Sequence, residues 1–185
     1  MTKIINTPLT DDIVNDLKVG DRVLLNGIIY TGRDAAHKRL VELINKGEEL
    51  PMDIKNQTIY YVGPCPAKSG HVIGSAGPTT SGRMDAYAPL LMDNGLKGMI
   101  GKGSRNQQVI ESIVKNNAVY FAAIGGAGAL LAEAIKEAEV IAFPDLGAEA
   151  IYKLKVENFP VTVAIDNKGN DLYKIGKEKY KKNKD

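Results

Sequence analysis

The chain has 185 residues, 44% of them hydrophobic and 25% charged, which suits one compact domain with its own core and excludes a disordered segment. Its formal charge of +2 does not mark a nucleic-acid binder, because residues 177–185 hold five lysines against two acids and leave the remainder close to neutral. No apolar run reaches the roughly 18–20 residues of a membrane span, and Met1-Thr2-Lys3-Ile4-Ile5 lacks the plan of a secretory signal, so a cytoplasmic location is expected, with neither membrane nor nucleic acid as partner.

Taken in chain order, residues 9–17 read as a short helix that Thr10 can cap, with Ile13, Val14 and Leu17 on one face. Gly20-Asp21 turns the chain into a β-branched strand over residues 22–30. Asp34 is placed to cap a helix through Asn45, with Leu40, Leu43 and Ile44 inward and Gly47 at its end. Strands are expected at 58–62, 71–73, 98–100, 118–124, 140–143 and 161–165. Helical spacing predicts helices over about 80–92, from Ser104 through Val114, and over 129–138, the last entered through Gly125-Gly126-Ala127-Gly128. Asn167-Lys168-Gly169-Asn170 reads as a hairpin turn. The sum is an α/β domain of mixed strand order without internal repeats, ending in a basic, disordered tail at 177–185.

The single cysteine, Cys65, excludes both an internal disulfide and a multi-cysteine zinc or iron–sulfur site within the chain. His37 and His71 stand too far apart in sequence to suggest a metal pair. Neither a phosphate loop nor a complete dinucleotide fingerprint is present, since Gly126-x-Gly128 lacks its third glycine.

Three cations follow strand ends. Thr31-Gly32-Arg33-Asp34, Gly77-Pro78-Thr79-Thr80-Ser81-Gly82-Arg83-Met84-Asp85 and Gly101-Lys102-Gly103-Ser104 each set a basic residue beside glycine where a helix is about to begin. A guanidinium pairs with a carboxylate through two parallel hydrogen bonds, and strand ends facing one crevice are where open α/β sheets bind ligands. The repeated pattern points to a ligand with more than one negative group, a polycarboxylate or a phosphate. Residue by residue, capped helices with solvated arginines, Arg33 paired with Asp34, fit the same runs, and the residues alone leave both readings open.

The first two runs, with Ala35-Ala36-His37-Lys38-Arg39-Leu40, resemble those of the class I fumarate hydratase β family. So do Gly101-Lys102-Gly103, Glu149-Ala150-Ile151-Tyr152-Lys153, and Asn158-Phe159-Pro160 followed by Asp166-Asn167-Lys168-Gly169-Asn170. The resemblance spans about residues 7–173 and implies a three-layer swivelling β/β/α domain with a mixed sheet, a single hydro-lyase β-type domain over 1–176. Because the chain begins near the family's domain start, it implies a separate β subunit. Its partner would be an α subunit that holds a [4Fe–4S] cluster, and this chain would bind no metal. It leaves open a contact between two β chains.

By position, Arg33, Arg83 and Lys102 would hold the carboxylates of a small dicarboxylate, fumarate or malate, and Thr79 matches the base that removes the C3 proton of malate. A hydroxyl is a weak base unless its surroundings favour the alkoxide, and Thr79 also fits a helix cap. L(+)-tartrate dehydratase β subunits share the pattern, and a non-catalytic swivelling module that binds a dicarboxylate or docks to a partner is the reading from another class.

Overall fold

The computed structural model describes residues 1–124 and 126–181, the side chain of Tyr180 excepted. Two alternating apolar patterns dominate it. They form β2 (Arg22–Thr31), with Val23, Leu25 and Ile29 buried, and β7 (Ile151–Ile165), with Leu154, Val156, Phe159 and Val161 buried. The two run antiparallel from Arg22↔Thr162 to Tyr30↔Lys153, with a bulge between Leu25 and Gly27. Gly27 has φ +107°, and a Cβ there would stand 2.6 Å from Thr7 Oγ1, so only glycine fits that bend.

Five further strands complete a seven-stranded mixed sheet: β1 (Thr2–Asn6), β3 (Thr58–Tyr60), β4 (Gly98–Gly101), β5 (Val119–Ala122) and β6 (Ile135–Ala142), in the order β1-β2-β3-β4-β5-β7-β6. The pairs β1–β2, β2–β3, β3–β4 and β4–β5 are parallel, and β7 is antiparallel to β2, β5 and β6. Because β7 also returns to β2, the pairings run in a closed circuit through β2, β3, β4, β5 and β7. Successive side chains therefore serve two cores. Tyr60, Ile100 and Phe121 meet Leu25 and Phe159 on one face, while Ile59, Met99 and Tyr120 meet Leu40, Leu91 and Ile113 on the other. The second set belongs to the helices α2 (Asp34–Lys46), α3 (Ala88–Asp93) and α4 (Gln107–Lys115). The fold is mixed α/β with a mixed sheet.

Local signals hold where the local chain controls the outcome. Thr10 caps α1 (Asp11–Asp16) by accepting from Ile13 N, and Gly47 closes α2 in the left-handed conformation at φ 68°. Elsewhere the fold departs from the periodicity. The expected helix over 80–92 is a 3-10 turn, Ser81–Met84, followed by the short α3. Pro89 lies in the first turn of α3, where it lacks an N–H to give and would crowd the carbonyl four residues back. Asn106, not Ser104, caps α4, with Oδ1 accepting from Val109 N at 2.9 Å. Arg33 occupies the N-cap position of α2 without a side-chain bond, and Asp34 is its first helical residue. Of the helix expected over 129–138, only α5 (Gly128–Glu133) forms, because residues from Ile135 onward pair with β7 as β6. Segment 71–73 is bent rather than extended. The turn after β7 leads into α6 (Leu172–Lys181), which takes in part of the basic tail, and residues 182–185 lie outside the described residues, as does Gly125. Among the described residues no helix is long and apolar enough to cross a membrane.

Candidate functional site

The carboxyl ends of β2, β3 and β4 lie side by side, and a ladder of backbone bonds continues past them. Gly32 N donates to Tyr60 O (3.0 Å), Tyr61 N to Ile100 O (2.8 Å), Thr79 N to Tyr61 O (2.8 Å) and Ser81 N to Lys102 O (2.9 Å). Thr80 bridges to Lys102 in parallel register. The segment 79–81 is thus inserted as a short rung between the extensions of β3 and β4. The three sequence runs that carry Arg33, Thr79–Arg83 and Lys102 are brought to one edge of the parallel sheet, where α/β sheets place their ligands.

The rung is tight. A Cβ on Gly101 would stand 1.9 Å from Ser81 Oγ, so a side chain there must displace the Ser81 hydroxyl. Gly101→Ala is expected to cost about 1–3 kcal/mol by displacing the Ser81 hydroxyl, measured as a shift in equilibrium urea unfolding. A variant as stable as the parent would show that the rung yields without cost.

Arg33 and Arg83 converge on one carboxylate. Arg83 Nε donates to Asp34 Oδ1 at 3.0 Å, and Arg33 Nε lies 3.9 Å from Asp34 Oδ2 and 3.1 Å from Glu149 Oε1. Glu149 arrives because Thr31 Oγ1 donates to Ala150 O (3.2 Å) and accepts from Tyr152 N (3.0 Å), stapling the end of β2 to the start of β7. Arg33 also packs on Gly63, where a Cβ would stand 3.0 Å from its Nη1. The charged pairs are part-exposed, so their worth lies in orientation more than in stability. The Glu149 carboxylate is close to Arg33 Nε but off the N–H direction, which leaves that nitrogen buried without an acceptor, along with Asp34 Oδ2 and His37 Nε2. Unmet hydrogen-bonding capacity is therefore concentrated at the start of α2, beside the two guanidiniums.

Lys102 is exposed and has no carboxylate within ion-pair distance among the described residues. Thr79 is half-buried, and its hydroxyl makes no hydrogen bond among them. It caps nothing, since the residue before the 3-10 turn is Thr80, itself without a side-chain cap bond.

Beneath the turns lies a buried polar network with no counterpart in the sequence patterns. Arg105 Nε donates to Asp85 Oδ1 at 2.6 Å, and Asp85 Oδ2 accepts from Asn106 N at 2.7 Å. The Arg105 guanidinium lies 4.9 Å from the Tyr120 ring centre and 5.3 Å from that of Tyr61. Arg105, Asp85 and Tyr120 are separated by loops and strands along the chain, so periodicity carries no sign of their meeting. Asp34 was legible as a helix cap and as a partner for Arg33, and Glu149 only as part of a family run. A cleft of about 750 Å³ between the loop at 65–75 and α5 is lined by Cys65, His71, Val72 and Ala129, and it includes none of the four site residues. The cleft has volume but only scattered charge. The sheet edge gathers the cations, and for an anionic ligand charge and direction decide.

Residues 2–176 match the family model described as Fumarase C-terminus. The chain is 44% identical over 173 residues to "Fumarate hydratase class I, anaerobic" of Escherichia coli (strain K12), covering 91% of this chain and 32% of that protein. It is 44% identical over 157 residues to "Fumarate hydratase 2" of Leishmania major, covering 84% of this chain and 28% of that protein. It therefore spans about a third of the length of these fumarate hydratases. Against "Putative L(+)-tartrate dehydratase subunit beta" of Methanocaldococcus jannaschii it is 40% identical over 181 residues, covering 94% of this chain and 93% of that one. The match runs the length of the folded domain, through the sheet edge that gathers the cations, and the chain belongs to the Fumarase C-terminus family.

Proposed function

We propose that this chain is the β subunit of an iron–sulfur fumarate hydratase, catalysing reversible hydration of fumarate to L-malate in complex with an α subunit. The observation that carries the reading is the convergence of Arg33 and Arg83 on Asp34, with Lys102 on the adjoining rung, in a chain of this family. A dicarboxylate needs two cationic anchors at a set spacing. Asp34 accepts from Arg83 Nε and the Glu149 carboxylate sits beside Arg33 Nε, which leaves the terminal N–H groups of both guanidiniums to pair with substrate. Lys102, in parallel register with Thr80, adds a point charge to the turn that carries Thr79, the residue assigned removal of the C3 proton.

One cysteine, and no group of three or more His, Cys, Asp or Glu among the described residues, does not fit a cluster held by this chain. In the proposed complex the α subunit holds the [4Fe–4S] cluster, which supplies Lewis-acid chemistry at the leaving hydroxyl. This chain's own part is to bind the carboxylates, orient C3 toward Thr79 and remove the proton. A swivelling β/β/α domain belongs to the same reading. A second reading, an L(+)-tartrate dehydratase β subunit, is favoured by the near end-to-end match with the Methanocaldococcus jannaschii protein. Substrate carboxylates are common to both.

The test is anaerobic malate–fumarate interconversion by this chain co-purified with its cysteine-bearing partner, with L(+)-tartrate as second substrate. Arg83→Ala is expected to lower kcat/KM about 100-fold or more, about 3 kcal/mol of charge-assisted hydrogen bonding lost from the transition state. Arg83→Lys, which keeps charge but loses the fork, should recover only part of it. Turnover of tartrate but not malate selects the second reading. A complex with an intact cluster that turns over neither substrate leaves a dicarboxylate-binding or docking module.

A further inference from the structure

We propose that Tyr120 is a positioning residue for the carboxylate-binding turns, held in place by Arg105; the inference rests on the hydro-lyase reading of the site. Tyr120 sits in β5, outside every run that carries a site residue, and it is fully buried. Its hydroxyl lies 2.8 Å from Gly103 O and 2.8 Å from Ser81 Oγ. A carbonyl can only accept, so the phenol proton goes to Gly103 and the Ser81 hydroxyl donates to the phenol oxygen. Burial pushes the phenol pKa up, which keeps that proton in place.

One oxygen thereby joins two turns. Ser81 belongs to the turn that carries Thr79 and Arg83, and Gly103 follows Lys102 directly. The Gly103 peptide is gripped from its other side as well, its N–H donating to Tyr173 Oη at 3.0 Å. Gly103 has φ +85°, a conformation that gives the Lys102 turn its shape and is open to glycine. The phenol ring is in turn stacked under the Arg105 guanidinium, itself tied to Asp85 and, through Asp85, to the start of α4. No atom of this assembly is offered to a substrate. What it sets is the placement of Arg83 and Thr79 relative to Lys102, and misplacement of anchoring groups by an ångström is enough to slow a reaction that depends on alignment.

Tyr120→Phe keeps the ring, its volume and its stacking, and removes only the bridging oxygen. In the α/β complex the variant is expected to raise KM for malate about tenfold, with a smaller fall in kcat and a near-unchanged unfolding midpoint. Ser81→Ala, a milder change that cuts one leg of the bridge, should raise KM in the same direction and add little to Tyr120→Phe, because both act through one oxygen. A purely structural role would instead lower the midpoint and the active fraction while leaving KM alone. KM within about twofold of wild type in both variants overturns the positioning role. A cluster-loaded wild-type complex without malate or tartrate turnover overturns the hydro-lyase reading, and this role with it.

Discussion

Arg105→Leu is expected to lower the unfolding free energy of the chain by about 3–5 kcal/mol, the largest stability loss of any single change at the sheet edge. The side chain of Arg105 is 0% exposed and that of its partner Asp85 is 9% exposed. Removing the guanidinium leaves a carboxylate held in an apolar setting with only Asn106 N to accept from. The loss is thus mainly the penalty on the charge left behind, with the cation–π contacts to Tyr61 and Tyr120 a smaller part. Burial opposes the Arg105 charge, but Tyr61 and Asp85 outweigh it and hold the guanidinium firmly protonated, so the effect should persist across the neutral range. Combining Arg105→Leu with Asp85→Asn separates the causes. The amide still accepts from Asn106 N without carrying a charge, and recovery of a large part of the loss is expected in equilibrium urea unfolding. A single variant that loses under about 1 kcal/mol would show that water reaches Asp85 in the absence of its partner.

Acidification from neutrality to about pH 4 should remove about 3 kcal/mol of stability through His37 alone. The ring is fully buried on α2, with Nδ1 2.8 Å from Arg33 O, against Tyr61 at 5.3 Å and Tyr87 at 6.0 Å between ring centres. The carbonyl requires Nδ1 to carry the proton, which leaves Nε2 as a bare, buried acceptor. Burial first, and the nearby Arg105 charge, push the His37 pKa down from 6.5 to about 4 against the opposing pull of the Arg33 carbonyl and Asp34. A folded value below the unfolded one means that the unfolded chain takes up the proton first. The stability from neutral His37 is therefore whole above about pH 6.5 and is lost as pH falls from 6.5 toward 4. The carboxylates held low by lysine or arginine, Asp11, Asp93 and Asp145, lose their contribution below 3.8, so the two windows are distinct. His37→Gln should cost stability at neutral pH but flatten the slope between pH 4 and 6.5. An unchanged slope would assign the acid sensitivity to other groups.

His37 also shows how unevenly the site was written into the chain. The Gly-Arg and Gly-Lys pairs after strand ends were readable because glycine, a cation and the first residues of a helix are neighbours in sequence, and the sheet does bring all three to one edge. That Arg33 and Arg83 share a carboxylate was not readable. Asp34 is a good cap residue by type, but its side chain turns to a partner 49 positions away, and Arg33 takes the cap position without capping. The Tyr120 bridge reaches 39 positions back to Ser81, and the Arg105–Asp85 pair spans 20, distances at which periodicity carries no information.

By itself the sequence determined the parts governed by neighbours along the chain. These are the capped α1, the glycine stop of α2, the alternation of β2, the mixed α/β class and the cations set beside glycine at strand ends. Each rests on backbone dihedrals or on side chains within a turn of one another, where local free energy decides. Tertiary structure alone decided where β6 replaced helix, because residues from Ile135 that suit a helix by type gain more from a ladder with β7. It also decided which polar groups meet under the site. A buried charge such as Arg105 is tolerated only when its partners arrive from other elements, and their arrival is a property of packing, not of any window of sequence.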